Sequence, residues 1–354
     1  MQKLDRYVAS YFISSYGMCL LFFVGMFVLI DLFGKSDNIF ENAPSVIAMG
    51  NSVGVLVAQF YGLMLPFIFL QVAPFVTVMA AMFAVTRLRR NNELVPMIVG
   101  GRSVFRVLAP VFVFGILLAI FMVAVQQWVA PGLSDARERV KALLFHAEDE
   151  RQISDFYPVG ENRYVTIHDY DLDRKTIDAF DVSDVSDMNL MEPSLQGRNA
   201  RWDEERQAFV YEAEVVDAAG ATSSELRELP ADLTPDLIES KVRGAYDLSY
   251  SQAEFLYSKT GEGRWKVLLH YHLTFPLSNL LLLLLGLPFV LRQESRSLML
   301  GMVVSILICA SYFAFDAVMR NLGDKDVLHP VLAAWFGVIF FGSLGVVLVD
   351  NVKT

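Results

Sequence analysis

Residues 43–86 read APSVIAMGNSVGVLVAQFYGLMLPFIFLQVAPFVTVMAAMFAVT, and Arg87-Leu-Arg-Arg90 follows at once. No ionised side chain occurs in these 44 residues. A helix needs about 20 apolar residues to cross about 30 Å of hydrocarbon, so the stretch is too long for one span and sufficient for two. Charge decides between them. Lys3 and Arg6 precede the uncharged run 7–30, which places the amino terminus in the cytoplasm. One crossing within 43–86 keeps Arg87, Arg89, Arg90, Arg102 and Arg106 on that side, whereas two crossings would export all five. The positive-inside rule selects one crossing. Residues 42–60, with Gly50, Gly54 and Gln59, are then expected as an outer connection lying at the membrane interface.

Four further spans follow from the same reasoning: 107–134, 267–291, 297–315 and 327–349. The placement leaves Arg292, Arg296 and Lys353 inside, and only Lys35, Arg320 and Lys325 in the short outer loops. Six spans with both termini cytoplasmic satisfy the count. The first span is expected to be retained, because its apolar run exceeds a signal core and no small-x-small cleavage site follows it.

The chain has 354 residues, is 54% hydrophobic and 19% charged, and carries a net charge of −10. That charge is unevenly placed. Residues 131–263 hold 29 Asp+Glu against 14 Lys+Arg, a net of −15, and the remainder is +5. An apolar, mildly basic membrane part thus surrounds one acidic, water-soluble insert. Cys19 and Cys309 both lie in apolar runs and the insert has no cysteine, so no disulfide is expected.

Within the insert, short alternating runs such as Tyr164-Val-Thr-Ile-His168, Thr176-Ile-Asp-Ala-Phe180 and 208–216 are separated by turn residues around 171–174, 192–193, 202–205 and 219–220. This spacing predicts an antiparallel sandwich or jellyroll. A helix over 137–149 continues the third span into water, and a short helix over 249–257 leads into the fourth. The acidic exterior of the insert argues against nucleic acid or anionic lipid headgroups as partners of that surface.

No catalytic constellation emerges. The sequence has no G-x-x-x-x-G-K-[ST], H-E-x-x-H or G-x-S-x-G. His270 and His272 stand two apart and do not share a helix face, so no metal site is assigned. Asp316 with Arg320, and Asp31 with Lys35, are spaced to pair along one helix. Pro66 and Pro74 in the second span, and Pro276 and Pro288 in the fourth, are expected to interrupt or bend their helices. The loop 87–106 is the most informative segment: Glu93 is a lone acid among arginines, and the apolar turn 94–99 suits docking to a cytoplasmic partner.

Here the chain resembles the LptF/LptG (YjgP/YjgQ) family of lipopolysaccharide-export permeases. The family pattern stands as Arg87-Leu88, Glu93-Leu94 and Gly101, with Pro96 where alanine is usual. The likeness extends through Leu4-Asp-Arg-Tyr7, Pro131, Phe275-Pro-Leu-Ser278, Leu285-Gly-Leu-Pro288 and His329-Pro-Val-Leu-Ala-Ala-Trp335. The Leu4–Tyr7 start and the stretch Ile30-Asp-Leu-Phe-Gly-Lys35 look more like LptG than LptF.

The resemblance implies an α-helical membrane protein of six transmembrane helices with an inserted all-β, jellyroll-like periplasmic domain. The parts would be 1–133 (spans one to three with coupling loop 87–106), 134–263 (the β domain) and 264–354 (spans four to six). It implies a subunit of the bacterial inner membrane, paired with a paralogous six-span subunit and served by a cytoplasmic ABC ATPase dimer. ATP and Mg would be bound by that partner, with no cofactor in this chain. Lipopolysaccharide would pass to a periplasmic jellyroll bridge protein. Glu93 would meet the ATPase, supported by Leu94, Arg87, Arg89, Arg90 and Gly101. Lys35, and more loosely Arg137, Arg139 and Lys141, would meet the lipid's phosphates, although Asp31, Asp37 and Glu41 lie nearby. The competing reading is a non-transporting scaffold or sensor that displays the β domain. A secondary transporter would need inverted repeats and midplane charges, and neither is visible.

Overall fold

The computed structural model describes residues 3–101, 103–145, 155–159, 163–171, 174–184, 195–216, 222–242, 247–292 and 298–350. Arg102, Arg296 and Lys353, counted above among the inner cations, lie outside these residues. Among the described residues, six helices are long and apolar enough to cross a membrane. They are α1 (Lys3–Gly34), α3 (Val53–Arg90), α5 with its continuation α6 (Val104–Ala124 and Ala130–Phe145), α9 (Gly263–Arg292), α10 (Leu298–Asp324) and α11 (Pro330–Asp350).

The uncharged stretch that opened the reading is one crossing, but it is not flanked by a loose interfacial connection. Helix α2 (Ser36–Ala48) continues almost directly from α1. Lys35 N bonds to Asp31 O at 3.0 Å and Ile39 N to Lys35 O at 3.1 Å, so helical hydrogen bonding passes through the junction. The expected connection shrinks to residues 49–52, where Gly50 takes φ +80°. Ile39 and Val46 bury the inner face of α2, and Val46 joins Leu56, Phe60, Tyr61 and Leu144 in one apolar cluster.

The expected proline breaks do not appear. α3 runs unbroken through Pro66 and Pro74, and α9 through Pro276 and Pro288. Pro74, Pro276 and Pro288 are buried, so packing within the bundle holds these helices through the missing donors. The true irregularity lies in the third span, where Val125–Val129 form a π-turn between α5 and α6.

The insert carries a β sheet, as expected. Its strands β1 (Asp155–Val159), β2 (Arg163–Asp171), β3 (Thr176–Asp184), β4 (Leu195–Asp203), β5 (Ala208–Val216) and β6 (Thr222–Glu228) form one antiparallel sheet in chain order. Val165 and Ile167 point inward by alternation, and a bulge between Ile167 and Tyr170 returns Tyr170 to the same buried face. Phe180, Ala200, Phe209 and Tyr211 complete that face, with Leu237 and Ile238 of α7 (Pro235–Val242) in the same cluster. The cluster runs on without interruption into Trp265, Leu268, Tyr271 and Phe275 of α9 and Phe67 and Leu70 of α3. Sheet and bundle therefore share one core.

The return to the bundle is a built joint. Helix α8 (Tyr250–Thr260) starts with a capping box, Ser249 and Gln252 satisfying each other's backbone donors, and ends at Gly261 with φ +67°. His272, buried in α9, faces the carbonyls of Leu268 at 2.8 Å and Leu248 at 3.0 Å. It serves the joint; among the described residues no group of three or more His, Cys, Asp and Glu is placed to hold a metal ion.

Candidate functional site

The segment after α3 is shaped by its own residues. Arg87, Arg89 and Arg90 occupy the last turn of α3, where the helix dipole favours cations. The helix closes on Asn92, which adopts φ +55°, a left-handed conformation that Asn tolerates. Glu93 N then bonds back to Leu88 O at 2.9 Å and Asn92 N to Arg89 O at 3.0 Å, which satisfies the terminal carbonyls. A six-residue helix follows, α4 (Leu94–Val99). Pro96, the departure from the family pattern, falls in its first turn, where a missing N–H costs no hydrogen bond. Gly101 takes φ +80° beyond the end of α4, so the matched glycine has a backbone reason. Ser103 caps α5 by accepting from Arg106 N at 3.3 Å.

The candidate coupling residues divide into two groups. Leu94 is only 4% exposed and packs into the bundle core. Arg89 is half-buried and donates to Leu291 O at 3.5 Å. Arg87 stacks on the Tyr11 ring at 4.6 Å, and Arg90 is exposed. Outward from these, Pro96 and Val99 are exposed, Val99 by 80%. α4 is thus rooted by Leu94 and presents an apolar tip beside cations.

Glu93 is held from an element that the sequence reading used only for topology and resemblance. The Tyr7 hydroxyl lies 3.0 Å from each oxygen of the Glu93 carboxylate, and Asn91 donates to the same carboxylate at 3.3 Å. Tyr7 in turn meets the Tyr11 hydroxyl at 2.8 Å. Asp5, 9% exposed, pairs with Arg106 at 4.0 Å. The Leu4–Tyr7 motif was the available signal, but spacing gave no hint of its partner.

At the insert end of the bundle, most of the cations considered for lipid phosphate face carboxylates. Lys35 Nζ is 2.9 Å from Asp31 Oδ2 and lies over the Phe60 and Phe145 rings at 5.3 and 5.6 Å. Tyr61 donates to the same Asp31 oxygen at 2.9 Å. Arg137 makes a two-pronged bond to Asp247, 3.0 and 2.9 Å, and lies over Phe67 at 4.4 Å. Lys141 is 3.7 Å from Glu138, and Arg139 is exposed. The expected Asp316–Arg320 pair is present at 3.0 Å, with Arg320 over Tyr271 at 4.3 Å.

On the insert, a groove of about 1400 Å³ crosses the sheet, lined among others by Phe180, Trp202, Tyr211, Arg198, Arg201 and Arg227. Burial is the main force raising the Tyr211 hydroxyl above its ordinary pKa, and Arg227 partly opposes it. The groove mixes the guanidinium groups of Arg198, Arg201 and Arg227 with the carboxylates of Asp181, Asp203, Glu204 and Glu212, and Phe180 and Tyr211 at its floor are buried.

No curated protein matches this sequence. The model of the lipopolysaccharide export system permeases LptF/LptG matches residues 6–351. Six apolar helices, a β insert between the third and fourth, and a short helix after the second fill that match from end to end. The chain belongs to the LptF/LptG family of lipopolysaccharide export permeases.

Proposed function

We propose that this chain is one permease subunit of an ABC-type exporter. In this reading a cytoplasmic ATPase dimer in trans docks on α4, and a paralogous six-span subunit completes the pathway. Lipopolysaccharide leaves through the β insert to a periplasmic bridge. The amino terminus, the arginines at 87–90 and α4 then face the cytoplasm, the insert faces the periplasm, and the membrane is the bacterial inner membrane. ATP and Mg are assigned to the ATPase, since this sequence carries no P-loop motif.

The observation that carries the reading is α4 itself. A six-residue helix rooted by Leu94 and exposing Val99 beside cations has the form of a contact point for another protein. The groove of about 1400 Å³ across the sheet of the insert is the surface assigned to the rest of the path. A jellyroll form of the insert, and the LptG role within the pair, belong to the same proposal.

The test is purification of the tagged chain in mild detergent, wild type and Glu93→Arg, with subunit identification and an ATPase assay. Wild type should bring down a P-loop ATPase and a second six-span protein. Glu93→Arg should lower ATPase recovery about tenfold or more, as reversal of an interface charge does. Recovery of the wild type alone and inactive would sink the exporter reading and favour the scaffold.

A further inference from the structure

The bonds around the loop 87–106 converge on one helix. Tyr11 lies under Arg87 at the end of α3, Tyr7 holds Glu93 before α4, and Asp5 pairs with Arg106 at the start of α5. All three come from the first turns of α1, so the base of α1 is fastened at the start, middle and end of the loop.

The burial of α1 shows the same bias. Its buried residues are Asp5, Val8, Ala9, Phe12, Ser15 and Cys19. Beyond Cys19 no residue of α1 is buried. The far half meets its neighbours through partly buried side chains: Phe23 on the Phe75 ring at 4.7 Å, Val28 and Leu32 against the outer cluster, and Asp31 with Tyr61. Buried apolar contacts hold an element far more strongly than partly exposed ones. A displacement applied at the base is therefore resisted least along the far half.

We propose that Tyr7 is a positioning residue for transport: through its hydroxyl on Glu93 it fastens α1 to the docking loop, so that movement of α4 is delivered to α1. The proposal rests on the reading that α4 receives the ATPase, and adds that α1 is the first span to which the signal passes. Phenylalanine at position 7 keeps the ring against Tyr11, which it meets edge-on at 4.8 Å, and removes the hydroxyl with its bonds to Glu93 and to the Tyr11 hydroxyl. The loop keeps its shape through the closure at Asn92 and the rooting of Leu94, so docking does not depend on this donor.

The experiment uses the complete complex recovered with the tagged chain, reconstituted in liposomes with labelled lipopolysaccharide. Lipid extracted per ATP hydrolysed is measured for wild type, Tyr7→Phe, Glu93→Gln and the double variant, beside subunit recovery and melting temperature. Tyr7→Phe should retain the ATPase and melt as wild type, while lipid per ATP falls about fivefold or more, the range of an ordinary coupling between sites. The double variant should be no worse than the poorer single one, because Glu93→Gln weakens the same contact that Tyr7→Phe removes. An unchanged lipid-per-ATP ratio in Tyr7→Phe, or multiplied losses in the double variant, would overturn the role given to Tyr7 while leaving docking at α4 intact. Failure of the wild type to recover an ATPase would overturn the docking reading and this inference together.

Discussion

The pair Arg137–Asp247 offers the sharpest check on how the insert is joined to the bundle. Both guanidinium prongs bond the carboxylate, at 3.0 and 2.9 Å, with side chains only 15% and 11% exposed. Removing one member of a buried pair costs about 3–5 kcal/mol, because the remaining charge keeps its desolvation without its attraction. Arg137 also touches Glu138 and retains some water, which puts Arg137→Met at the lower end, about 3 kcal/mol. Methionine keeps an apolar stem against Phe67, so packing is largely preserved and the loss reports on charge. Asp247→Asn should cost a similar amount, and the double variant about 1–2 kcal/mol less than the sum of the singles. Cys19 and Cys309 are buried free thiols, so a thiol-reactive dye reads unfolding of the detergent-solubilised chain directly. A cost below about 1 kcal/mol for Arg137→Met, or strict additivity in the double variant, would refute the clamp. If Arg137→Met kept its stability but lost lipopolysaccharide binding, the residue would belong to the ligand instead.

Two changes in the insert test its packing and its ionisation. Gly197 lies opposite Phe180 in the β3–β4 register, and a Cβ there would fall within the Phe180 ring; Gly197→Ala should destabilise the insert by about 1–3 kcal/mol, visible as faster hydrogen exchange in β3 and β4. Burial first, and then the nearby carboxylates of Glu239 and Asp236, raise the Tyr170 hydroxyl above its ordinary 10.0. A raised folded pKa contributes stability that is complete below pH 10.0 and is lost as pH rises through the folded value. The melting temperature of the insert should therefore fall above about pH 10, and Tyr170→Phe should remove that part of the fall; an identical alkaline slope in the variant would exclude Tyr170 as its source.

Much of the architecture is legible in the sequence because two simple signals govern it. Charge-free runs mark the spans, since hydrocarbon penalises ions strongly, and alternation marks those strands with a regularly buried face. Strand β5 covers the expected 208–216, and β3 starts at the expected Thr176. β4 was not legible: in Leu195–Asp203 only Ala200 is buried, and Trp202 was read as part of a turn. Backbone pairing with β3 and β5, not apolar patterning, makes it a strand. α2 was hidden by Pro44 and by the glycines after it, which read as a connection. The site divides in the same way. Spacing rules found Asp31–Lys35 and Asp316–Arg320, each four apart on a helix. They could not find Tyr7 with Glu93, 86 positions apart, or Arg137 with Asp247, 110 apart, because only tertiary packing brings those residues together.

Helix length ties these parts to the bilayer. About 20 residues suffice to cross it, yet α3 has 38 and the third span with its π-turn and α6 has 42. The excess is about 18–22 residues, or roughly 27–33 Å of helix at 1.5 Å per residue. Val46, Leu56, Phe60, Tyr61 and Leu144 cluster where α2, the start of α3 and the end of α6 meet. These helices therefore bury apolar surface against one another near the insert, which a lone extension in water could not do. Lys35, Arg137, Arg139 and Lys141 all lie on or beside this stem, so in the proposed reading the cations expected to meet lipid phosphate stand between the spans and the β insert. In the proposed reading, the overhang that lengthens the helices provides an apolar-to-polar boundary where an amphiphile's headgroup is met by cations while its acyl chains stay among the spans.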